Sequence, residues 1–162
     1  MVKTPKQERL TADVDFSRLV SAEKMSGDSK KDTRLLRDMY KEACEYLLSF
    51  KWCKSIRRAW FGRGVGGIYA VFLFEIAPNS KKVDKLLWVI IGDMPSAYLV
   101  IDESSTPLAA LRNYAELMQE WVDTVKAGKS TDECIPVNVP ATLEYANLLQ
   151  RRLKFIRKEF LK

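Results

Sequence analysis

Residues 85–102 read Lys-Leu-Leu-Trp-Val-Ile-Ile-Gly-Asp-Met-Pro-Ser-Ala-Tyr-Leu-Val-Ile-Asp, two apolar runs (86–91 and 97–101) around Gly92-Asp93-Met94-Pro95-Ser96. Runs of this length, rich in β-branched and aromatic residues and stopped by turn formers, read as buried strands. Gly92 tolerates positive φ, and Pro95 fixes φ and withholds a ladder donor, so the chain must bend between them. The stretch therefore predicts a tight β-turn-β unit at the centre of a small sheet.

The flanking sequence supplies the rest of a domain. Asp32 or Thr33 can cap a helix to about residue 49, with Leu36, Met39, Tyr40, Ala43, Cys44, Leu47 and Leu48 on its apolar face. Cys44 lies in that stripe and reads as a buried, inert thiol. A strand over residues 52–61 should lead through a glycine turn (Gly62, Gly64, Gly66, Gly67) into a second strand over 68–76. Gly62, Gly64 and Gly67 fit the pattern G-x-G-x-x-G, but a dinucleotide fingerprint needs a helix to follow, and here a strand follows. A kinase glycine loop would need a lysine on the next strand and a catalytic-loop motif, neither of which is present. A hairpin is the better reading.

After the central unit, Thr106-Pro107 opens a helix to about residue 126, ended by Gly128. A last helix over 141–161 carries Leu143, Ala146, Leu149, Leu153, Ile156 and Phe160 on its inner face. The expected fold is α+β: an antiparallel four-stranded sheet in the order helix, four strands, helix, helix, with the helices packed on the sheet. The strands at 68–76 and 86–91 are apolar almost continuously, so both faces need cover. The helices are expected on one face, and the N-terminal arm or a partner subunit of a homodimer on the other. Residues 1–31 are polar and read as a flexible arm, docked at most through Phe16 and Leu19; residues 32–162 read as a single domain.

Composition narrows the chemistry. The 162 residues include no histidine, which removes imidazole as base or ligand and with it most triads and catalytic zinc sites. Cys44, Cys53 and Cys134 are an odd number without metal-ligand spacing, so neither a disulfide framework nor a metal site is expected. No cofactor is implied. No apolar run reaches the roughly 18 residues of a membrane span, and the first residues lack the apolar stretch of a signal peptide, so a cytoplasmic protein without membrane association is expected. The net charge of +6 is unevenly spread. Residues 31–60 and 134–162 each carry +4, whereas residues 61–133 carry −3.

Residues Trp88-Val89-Ile90-Ile91-Gly92-Asp93-Met94-Pro95-Ser96-Ala97-Tyr98, with Phe72-Leu73-Phe74 before them and Ala110-Leu111-Arg112-Asn113-Tyr114 after, resemble a family of small bacterial proteins of unassigned function. The resemblance spans roughly residues 35–160 and implies a bacterial single-domain protein.

Two constellations could carry function. Trp52, Arg57, Arg58, Trp60 and Arg63 form a basic-aromatic strand that suits a protein interface or stacking on unpaired bases. Asp93, Ser96 and Tyr98 in and after the central turn could bind a polar ligand, although turn residues of these types often bond only nearby backbone. No base–nucleophile pair can be named, so no catalytic residue is assigned. The function expected is that of a non-enzymatic protein binding another macromolecule, most plausibly a protein, as a small regulator or immunity-type protein does. A nucleic-acid-binding domain using residues 52–63 is the alternative, and a histidine-free enzyme or ligand site around Asp93 is the third reading.

Overall fold

The computed structural model describes residues 14–162. Its strands are β1 (Val20–Ser21), β2 (Cys53–Val65), β3 (Tyr69–Pro78), β4 (Leu86–Gly92) and β5 (Ala97–Val100), and its helices α1 (Lys30–Leu48), α2 (Pro107–Lys126) and α3 (Leu143–Phe160). The strands lie in chain order, β1-β2-β3-β4-β5, and every neighbouring pair is antiparallel. The α+β class with an antiparallel sheet is as expected, but the sheet has five strands rather than four.

The extra strand comes from the segment expected to be a free arm. Val20 and Ser21 pair with Phe61 and Trp60, a ladder too short to leave a period-two pattern in sequence. Around it, Val14, Ala22 and Met25 are buried, and the Asp15 N–H donates to the Ser105 carbonyl at 2.8 Å. The first thirteen residues of the expected arm lie outside the described residues.

Helix starts follow cap chemistry. The Ser29 hydroxyl accepts the Asp32 N–H, Thr106 that of Ala109, and Thr142 that of Tyr145, satisfying donors that have no intrahelical partner. The β2–β3 turn is tighter than the sequence suggests, because Gly62 and Gly64 belong to β2. Only Gly66, Gly67 and Ile68 lie between the two strands, and Gly67 takes φ +79°.

The alternation of side chains along each strand divides the core in two. On one face, Ala70, Phe72, Phe74, Ile76, Leu87, Val89 and Ile91 pack with Leu36, Met39, Ala43 and Leu47 of α1. On the other, Val71, Leu73, Trp88, Ile90 and Leu99 pack with α2 and α3 through such residues as Leu111, Tyr114, Met118, Leu149 and Leu153. Helices therefore cover both faces, not one, which is why β3 and β4 are apolar without alternation. The N-terminal segment adds Val14 to one cluster and Met25 to the other rather than covering a face by itself.

The central turn also differs in its cause. Among the described glycines only Gly67 and Gly128 have positive φ, so Gly92 is not there for backbone freedom. A Cβ at Gly92 would collide with the carbonyl of Ile68, and the neighbouring Asp93 N–H donates to that same carbonyl at 3.0 Å. Close approach of two backbones, rather than a left-handed turn, requires glycine here.

Candidate interaction surface

Trp52 and Tyr98, assigned from sequence to different sites, meet in space. Tyr98 lies on β5 and turns toward the α1 face. Trp52 precedes β2 and is held by its carbonyl, which accepts the Asn79 N–H at 3.0 Å. Their ring centroids are 4.9 Å apart. Phe50, in the short link after α1, stacks on Trp52 at 4.8 Å and stands edge-on to Tyr98 at 5.3 Å. Tyr46, in the last turns of α1, meets Phe50 edge-on at 5.2 Å. Such offset and edge-on pairs are the preferred aromatic geometries.

All four rings are half-buried rather than sealed in the core. Val100, two positions beyond Tyr98 and so on the same face of β5, is 40% exposed. Beyond β5 no further strand pairs among the described residues. Burial pushes the Tyr46 phenol up to about 12, so the ring is neutral at ordinary pH. The result is an uncharged, preorganised aromatic surface beside a sheet edge.

The remaining residues of the basic-aromatic strand are separate from this cluster. The Arg58 guanidinium lies 5.1 Å above the Trp60 ring centroid, and its Nε and Nη2 donate to the Glu75 carboxylate at 2.8 and 3.3 Å. Phe16 stands edge-on to Trp60 at 5.2 Å. The hydrogen bond from Arg58, aided by Arg57 and Lys85, holds the Glu75 carboxyl below its usual value. Arg63 donates through Nε to the Tyr69 hydroxyl at 2.9 Å. Arg57, at the register shift between Ile56 and Arg58, is exposed. Two of the three arginines are thus occupied within the protein, and the strand does not present a continuous row toward phosphate.

Asp93 and Tyr98 lie on opposite sides of the sheet. The Asp93 carboxylate is ion-paired with Arg152 of α3, whereas Tyr98 packs toward α1. Ser96 is half-buried in the turn between them. The turn itself is held to α2 by the Tyr114 hydroxyl, which donates to the Pro95 carbonyl at 2.6 Å. These three side chains do not converge on one point. Among the described residues, no three His, Cys, Asp or Glu side chains gather as a metal site would need, and no helix is long and apolar enough to cross a membrane.

Sequence reasoning missed Tyr46 and Phe50. Tyr46 stands three residues after Ala43 and seven after Met39, at the edge of the apolar stripe of α1, and Phe50 lies in a link with no periodicity; the dense aromatic spacing of Tyr46, Phe50 and Trp52 was the available signal. Leu143 was expected on the inner face of α3 but is 61% exposed, because it occupies the first helical position, beyond the edge of the core. Comparison with family models, curated proteins and solved structures gives no match.

Proposed function

We propose that this chain is a non-enzymatic protein-binding module, a cytoplasmic bacterial regulator or immunity-type protein. It grips its partner through Tyr46, Phe50, Trp52 and Tyr98. The observation that carries this reading is the half-exposed contact of Trp52 with Tyr98 at the β5 edge. Aromatic rings held by one another lose little conformational freedom on binding and bury large area, which is why such residues dominate interface energetics. The occupied state of Arg58 and Arg63 favours a protein over a nucleic acid as partner.

The test uses the full chain and a partner purified after co-isolation from cells. Trp52→Ala and Tyr98→Ala should each weaken binding by about tenfold or more, as hot-spot residues do. Lys54→Ala, nearby and exposed, should leave it within about threefold, since most contact residues contribute little. Equal affinity of all three variants and the parent chain would overturn the reading. Salt-steep binding of a single-stranded oligonucleotide, lost on Arg57→Ala, would replace it with the nucleic-acid reading.

A further inference from the structure

We draw no further inference here: the strongest candidate, the cleft lined by Asp15, Arg18, Arg63 and Thr106 at the start of α2, carries nothing, because Arg18 is paired with Asp15 and Arg63 with the Tyr69 hydroxyl, and nothing else in the structure points to a ligand at the helix N-terminus that is left.

Discussion

The indole Nε1 of Trp88 donates a 2.9 Å hydrogen bond to the backbone carbonyl of Ser104, tying strand β4 to the link before α2. The ring is fully buried, so one residue both fills the core under α2 and satisfies a buried acceptor. Trp88→Ala should cost about 3–5 kcal/mol in urea unfolding, from lost burial and the cavity left behind. Trp88→Phe keeps much of the volume but strands the Ser104 carbonyl, at about 1–3 kcal/mol. A loss below about 1 kcal/mol for the alanine variant would contradict the placement of the ring in the core.

Acid should erode one specific surface contact. Arg58 holds the Glu75 carboxyl below its usual 4.5, so the folded-state value lies below the unfolded one. The stability this contributes is present above the unfolded value and disappears as pH falls through the folded value. The Arg58 side chain is 66% exposed, so solvent screening keeps the effect small. The parent chain should exceed Glu75→Gln in stability near neutral pH, with the gap narrowing on acidification below about pH 4.5. A gap unchanged in acid would show that the pair is not its source.

The main elements were legible because their signals are local. The Thr106-Pro107 start of α2, the apolar stripes of all three helices and the runs of β3 and β4 each announce themselves within a few residues. What escaped depends on partners distant in sequence. Val20 and Ser21 become a strand only because Phe61 and Trp60 offer a ladder, and a two-residue strand has no period to read. The same holds for the candidate surface: Trp52 and Tyr98 are separated by three strands in the chain, and nothing near either one reports that Phe50 and Tyr46 bring them together. Conversely, Trp52 and Trp60 are close in sequence yet serve different clusters: Trp60 sits within β2, whereas Trp52 lies just before that strand, where strand alternation does not set its direction.

Gly92 and Gly128 should respond differently to substitution. At Gly92 the obstacle is the Ile68 carbonyl, so Gly92→Ala forces β4 away from the start of β3 and should cost about 1–3 kcal/mol, as overpacking does. Gly92→Val should be worse still. At Gly128 the space is open and φ is +70°, so the cost is conformational alone. Gly128→Asn should be nearly neutral, because asparagine tolerates the left-handed region, whereas Gly128→Val should not be. If Gly92→Ala unfolds in the same denaturant concentration as the parent chain, the close approach of the two backbones is not a constraint.

Met25 decides whether the N-terminal segment belongs to the domain. It is 1% exposed and shares a core cluster with Leu36, Met39 and Ala43 of α1. The segment's other anchors are smaller: Val14 and Ala22 are buried but short, the Asp15 N–H bonds the Ser105 carbonyl, β1 contributes only two paired residues, and Phe16 and Val20 are exposed. Met25→Ala should therefore cost about 2–5 kcal/mol, the range for emptying a well-packed site. Phe16→Ala, which removes one edge-on contact with Trp60 at a half-open position, should cost about 0.5–1.5 kcal/mol beyond its small loss of burial. The ordering of the two is the decisive result. If Phe16→Ala is the more damaging, the segment is held by the Trp60 contact, and the burial of Met25 against α1 follows from that docking instead of driving it.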